Sequence, residues 1–261
     1  MRSLNIGATG MLAQQLNVEV ISNNIANMNT TGFKRHRAEF QDLLYQNLRR
    51  VGSASSDAGT IVPTGVQLGL GVKSAAIYRM SGQGNIMQTE NPLDLAINGR
   101  GFLMVELPSG ETAYTRAGSL QLSPDGDIVT ADGYVVQPGI TVPSDAVAIS
   151  VNESGEVYVD LDGQVAPVRV GQLELANFAN EAGLDEIGQN LLLETAASGT
   201  ASVATPGSAG FGKIVQGALE TSNVNVVSEI TSLITAQRAY EMNSKVIESS
   251  DEMMRTVTQL R

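Results

Sequence analysis

The sequence predicts an α+β protein in which long N- and C-terminal helices pair as an antiparallel coiled-coil-like domain. A central, mostly antiparallel β domain is joined to them by extended connectors. Three observations predict this: apolar residues recur every seven positions at both ends of the 261-residue chain, they alternate with polar residues in its middle, and small or turn-forming residues separate the two regimes.

At the N-terminus Leu4, Met11, Val18 and Ile25 stand seven apart, with Ala8, Leu12, Ile21 and Met28 beside them, a narrow apolar stripe on a helix. Ser3 is its expected N-cap. The helix should fail at Asn27-Met28-Asn29-Thr30-Thr31-Gly32, where Asn and Thr side chains compete for backbone groups and Gly permits a left-handed turn. At the C-terminus Val226, Leu233, Tyr240, Ile247 and Met254 form a second column, joined by Ile230, Val246, Met253, Val257 and Leu260. Asn225 can cap this helix, and Glu229 near its start and Arg255 and Arg261 near its end have the signs its dipole favours. Gln237, Ser244 and Asp251 stand where a two-stranded coiled coil would place Leu, so a lone pair of such helices would be marginal and further partners are implied.

Between the ends the period changes to two. Strands are expected at Tyr114 to Arg116, Leu120 to Leu122, Ile128 to Thr130, Tyr134 to Val136, Val147 to Val151, Val157 to Leu161, Val165 to Val170 and Leu173 to Phe178. Ser123-Pro124-Asp125-Gly126, Asp132-Gly133, Ser154-Gly155 and Asp162-Gly163 supply tight-turn chemistry between them. Residues 52–59 and 198–212, rich in Gly, Ser, Ala and Thr, resemble linkers. The resulting division is 1–32 with 222–261 as a helical polymerisation domain, 33–92 with 198–221 as a connecting domain, and 93–197 as a β-rich outer domain.

Composition narrows the function. Sixteen basic residues against 27 acidic ones give a net charge of −11, which repels nucleic acid and anionic lipid. The absence of cysteine excludes disulfides, thiolate metal sites and thiol nucleophiles. The first ten residues lack the apolar core of a signal peptide, and no later run approaches the ~20 apolar residues of a membrane helix.

Catalytic patterns are weak. His36, the single histidine, lies in Lys34-Arg35-His36-Arg37, where neighbouring cations oppose metal binding, and a solvated surface is expected there. Gly207-Ser208-Ala209-Gly210-Phe211-Gly212-Lys213-Ile214 nearly matches a phosphate-binding loop, but Ile214 replaces the hydroxyl that would hold magnesium, so a flexible loop is expected. Asp125 with Asp127 and Asp160 with Asp162 read as solvated turn carboxylates, and the lack of Trp leaves little to stack on sugars. No catalytic, metal or cofactor site is expected, no small-molecule substrate, and no enzyme activity.

The stripes lie outside the β domain and lack a covering layer within one chain, so copies of the same chain are expected to supply it. Ser22, Asn23, Asn24 and Asn27 would let helices approach closely and hydrogen-bond across chains.

Ile21-Ser22-Asn23-Asn24-Ile25-Ala26-Asn27-Met28-Asn29-Thr30-Thr31-Gly32-Phe33-Lys34-Arg35 resembles the signature of flagellar basal-body rod and hook proteins, in which Asn24, Asn27, Thr30, Gly32 and Phe33 are motif positions. Glu220-Thr221-Ser222-Asn223-Val224-Asn225-Val226-Val227, with Gln237 to Lys245, resembles the C-terminal motif of that family. Asp94 to Phe102, Tyr114 to Ser119 and Val170 to Leu173 are similar to its distal-rod branch, with hook or proximal-rod subunits as the alternative and an adhesive β-domain binder more remote. The segment from Tyr45 to Pro63 is similar to the insertion that separates rod from hook proteins. The resemblance implies a homopolymeric helical tube in the basal body, spanning the periplasm, exported by the flagellar type III apparatus without a cleaved signal peptide. It also implies a proximal rod protein, hook protein, P-ring and L-ring proteins and a rod cap as partners.

Overall fold

The computed structural model describes residues 2–49, 64–164 and 166–259, and the chain divides into two compact units. Pro63, most of the 45–63 segment, the linker at 52–59, Val165, Leu260, Arg261 and the Val257 side chain lie outside the described residues.

The first unit comprises Met1–Ile25, His36–Tyr78 and Asn225–Arg261. It holds helices α1 (Arg2–Ala26) and α2 (Val226–Gln259), and strands β1 (His36–Asp42), β2 (Tyr45–Arg49), β3 (Val66–Gly69) and β4 (Val72–Arg79). Strand β1 pairs with β4, and β2 pairs antiparallel with β3, Tyr45 lying opposite Gly69. Asn225 caps α2 as expected, its Oδ1 accepting from the Ser228 amide at 3.1 Å. Ser3 does not cap α1, because the helix already includes Arg2.

The helices touch through small residues. A Cβ added to Gly7 would sit 2.8 Å from Ile247 Cγ1, and one added to Gly10 would sit 2.9 Å from Asn243 Nδ2. Further along, Asn24 Nδ2 donates to Glu229 Oε2 at 3.2 Å, so the contacts descend α2 as they ascend α1. Glu229, Ala236, Asn243 and Ser250 form a column seven apart, three positions after the large apolar column, and Glu229, Ala236 and Ser250 are buried. Gly71, at φ +122, abuts the Thr9 hydroxyl, which accepts from the Val72 amide at 3.4 Å; only a residue without a Cβ allows this approach of the β3–β4 turn to α1.

The second unit comprises Ala26–Arg35 and Arg79–Val224. Its strands are β5 (Ile86–Gln88), β6 (Leu95–Asn98), β7 (Phe102–Glu106), β8 (Thr112–Thr115), β9 (Leu120–Leu122), β10 (Ile128–Thr130), β11 (Val135–Val136), β12 (Ala146–Val151), β13 (Glu156–Leu161) and β14 (Val168–Gln172). They continue with β15 (Leu175–Asn177), β16 (Asp185–Gly188), β17 (Leu191–Leu193), β18 (Ser202–Ala204), β19 (Lys213–Gln216) and β20 (Ala218–Glu220). The largest sheet runs β16-β17-β8-β7-β11-β10-β9, with β15 also on β7 and β18 on β15. Strands β12, β13 and β14 form a meander, and β19 with β6 and β20 with β5 form antiparallel pairs.

Strand β7 is buried on both faces. Leu103 and Val105 join Leu120, Ile128, Val157 and Leu175 in one core, while Phe102 and Met104 join Tyr114, Phe178 and Leu192 in another. The expected turns form where Gly supplies a positive φ, as at Gly126, whose amide donates to Ser123 O at 2.9 Å. Two differences from the sequence reading have physical causes. Leu95 to Ile97 and Phe102 to Val105 are continuous apolar runs and carry no alternation, so strands β6 and β7 escape a period-two test. The expected linker 198–212 carries β18, where the β-branched Val203 lies opposite Ala176 and the short strand pairs with the edge of β15.

Candidate functional site

The two end motifs are drawn together by two clamps, one in each unit. In the first unit the clamp is Asn24, buried in the last turn of α1. Its Oδ1 accepts from the His36 amide at 2.8 Å, and its Nδ2 donates to the His36 carbonyl at 2.9 Å as well as to Glu229 in the first turn of α2. One amide thus holds the start of β1 as a neighbouring strand would, and reaches a buried carboxylate too.

In the second unit the N-terminal motif leaves the helix through two turns. The Thr30 amide donates to Asn27 O and the Phe33 amide to Thr30 O, each at 3.2 Å, while Thr30 Oγ1 donates to Asn27 Oδ1 at 3.1 Å. Gly32 follows at φ +69, its amide donating to Glu220 O at 2.8 Å; a Cβ there would lie 2.8 Å from the Arg116 carbonyl carbon. The chain then runs beside Asn223. That side chain accepts from the Arg35 amide at 2.7 Å and donates to Met80 O at 3.0 Å and Gly82 O at 2.8 Å.

Glu220 is the centre of this second clamp. It is 1% exposed, and its carboxylate meets Lys34 Nζ at 2.5 Å, Arg116 Nη1 at 3.1 Å and the Gly84 amide at 2.9 Å. Lys34 also donates to Gly82 O, and Arg116 to Gly101 O and Gly99 O, while its guanidinium lies 5.6 Å from the centre of the Phe102 ring. Burial pushes the Lys34 ammonium below its usual range and the adjacent Arg116 adds to this, opposed by the Glu220 hydrogen bond. Burial likewise lowers Arg116. One carboxylate with two cations, each hydrogen-bonded to backbone carbonyls, is a fixed brace.

The sequence-predicted interface residues divide. Leu4, Met11, Val18, Ile25, Val226, Leu233 and Ile247 are half-buried within the single chain, whereas Tyr240 and Met254 are 43% and 42% exposed. Asn24 and Asn27 each make hydrogen bonds inside the chain. In the run Lys34-Arg35-His36-Arg37 only Arg37 is exposed, since Lys34 is buried and Arg35 and His36 are half-buried. Phe33 is half-buried, and Tyr45 is 55% exposed on β2. Lys213 stands in a strand and pairs with Glu153 at 2.6 Å, and Ile214 is buried in the core, so the glycine-rich stretch leads into β19. Asp127 accepts from Thr141 Oγ1 at 2.6 Å. Sequence reasoning placed Lys34, Arg116, Glu220 and Asn223 inside family motifs but gave them no role, because their partners lie far away along the chain.

Comparison with known proteins agrees with the placement of these motifs. Residues 4–34 match the flagella basal body rod protein model, 96–159 the flagellar hook protein FlgE/F/G D1 domain, and 215–260 the flagellar basal body rod FlgEFG protein C-terminal model. The three together define the class of flagellar rod and hook proteins. The chain is 62% identical to the flagellar basal-body rod protein FlgG of Caulobacter vibrioides, with both chains covered in full. It is 51% identical to that of Agrobacterium fabrum, over 99% of this chain and 98% of the relative, and 40% identical to that of Bacillus subtilis, over 100% and 99%. The chain belongs to the FlgG family of flagellar basal-body rod proteins, a structural family and not one of enzymes.

Proposed function

We propose that this chain is the subunit of the distal rod, polymerising through its terminal helices into a helical tube that spans the periplasm and transmits motor torque to the hook. In this reading α1 and α2 form an antiparallel coiled-coil-like pair lining the tube. Residues 93–197 form the outer domain that turns inside the P and L rings, and the 45–63 segment stiffens the shaft. Assembly follows type III export without a cleaved signal peptide, and the proximal rod, hook protein and rod cap meet its ends.

The observation that carries the reading is the apolar surface left on a helix whose inner face is already occupied. Val227, Ile230, Ile234, Met242, Val246 and Met253 are between 45% and 76% exposed along α2. A solvated helix rarely keeps so many large apolar side chains uncovered. Covering one such side chain contributes roughly 1.5 to 3 kcal/mol, and head-to-tail contacts repeat the gain in every copy. Glu220 with its two cations then suits a rigid root, since truncating Glu220 leaves two buried cations without a counter-charge.

Electron microscopy of the purified chain at rising concentration tests this. Hollow rods are the expected outcome; particles that stay small at every concentration would point instead to a binding module.

A further inference from the structure

Between α1 and α2 the first unit carries an open groove of about 480 Å³ lined by Gln15, Val18, Glu19, Gln237, Tyr240 and Glu241. Val18 and the half-exposed Tyr240 ring give its lining apolar area, and Glu19 and Glu241 are exposed acidic members of the same lining. Glu19 accepts from Gln15 Nε2 at 3.1 Å, and among the described residues no ion pair engages Glu19, Glu241 or Arg238.

A surface of opposite character lies on the same unit. From Val226 to Arg238, α2 exposes Val227, Ile230 and Ile234 on one side, its only carboxylate, Glu229, is buried, and Arg238 is its only basic residue. Spacings of three and four place the three apolar side chains in one arc, with Arg238 a further turn along from Ile234. An apolar ridge ending in one guanidinium matches an apolar groove rimmed by two carboxylates in both polarity and sign.

We propose that the groove of one copy receives the first half of α2 from a second copy, with Val227, Ile230 and Ile234 covering Val18 and Tyr240 and with Arg238 placed between Glu19 and Glu241. The inference rests on the rod-subunit reading and names the surfaces that reading leaves open. The ridge, Val227 to Arg238, and the α2 side of the groove, Gln237 to Glu241, adjoin on one helix, so the contact joins neighbouring patches of two copies.

Charge reversal tests it on the full-length chain by sedimentation of assembled material. Arg238→Glu and Glu19→Arg, made singly, are each expected to raise the concentration needed for assembly on the order of tenfold, an interface penalty near 1.4 kcal/mol. The double variant Arg238→Glu with Glu19→Arg restores the opposite-sign pair and is expected to recover most of the loss. Protease resistance of the β-rich unit, unchanged in all three, separates this from misfolding. Single reversals that assemble as well as wild type, or a double variant no better than the singles, would overturn the socket while wild-type rods leave the rod reading standing. Failure of wild type itself to assemble would overturn both.

Discussion

Glu220→Gln is expected to lower the melting temperature of the β-rich unit by about 10 °C, from a loss of about 3 to 5 kcal/mol. The substitution keeps the side-chain volume but removes the negative charge between Lys34 and Arg116, which are 7% and 8% exposed. Two buried cations then share a site with no counter-charge in contact. Calorimetry reads the loss. Replacing all three members by apolar residues, Lys34→Met with Arg116→Met and Glu220→Leu, is expected to return much of the stability, since the charges contribute definition of geometry more than net energy. That triple variant should still fail to build straight rods, because the backbone carbonyls of Gly82, Gly99 and Gly101 lose the donors that fix them.

Asn24→Asp acts on the other clamp, with an expected cost of at least about 3 kcal/mol to the helical unit. It is isosteric, yet the Nδ2 donor to His36 O and Glu229 Oε2 becomes an acceptor, and a second carboxylate faces the buried Glu229. Like charges about 3 Å apart do not both ionise readily. Pairing the change with Glu229→Gln is expected to recover part of the loss, and the coupling in that double-mutant cycle measures the contact between α1 and α2 directly. Helix content by circular dichroism and the assembly threshold are the readouts. A fully additive cycle would show that Asn24 serves only the His36 backbone.

Much of the architecture could be read in the chain because it is written in periods. The seven-residue columns gave two end helices, and Asp-Gly and Ser-Gly pairs placed the turns between β9 and β14 within a few residues. What stayed hidden was either non-periodic or small. Strands buried on both faces, such as β6 and β7, show no alternation, and the close-approach positions Gly7 and Gly10 and the buried Ala236 and Ser250 contribute little apolar area to any pattern. A reading weighted by hydrophobicity therefore did not show that Ile247 packs on Gly7 in its own chain. The motif residues were legible as a family signature, but their use was not. Asn24 and Glu220 act on partners 205 and 186 residues away in sequence, Glu229 and Lys34, and only the fold brings these together.

Hydrogen exchange followed by mass spectrometry, in dilute protein and in assembled rods, reports most directly on whether the outer flanks of the terminal helices are covered by copies of the same chain. The account predicts that amides across residues 226–259 and 2–25 slow by about 100-fold or more on assembly, while those of the sheet around Leu103 and Val105 stay as protected as they were. Equal protection of the helices in dilute and concentrated samples would mean that a single chain already satisfies them, and would contradict it.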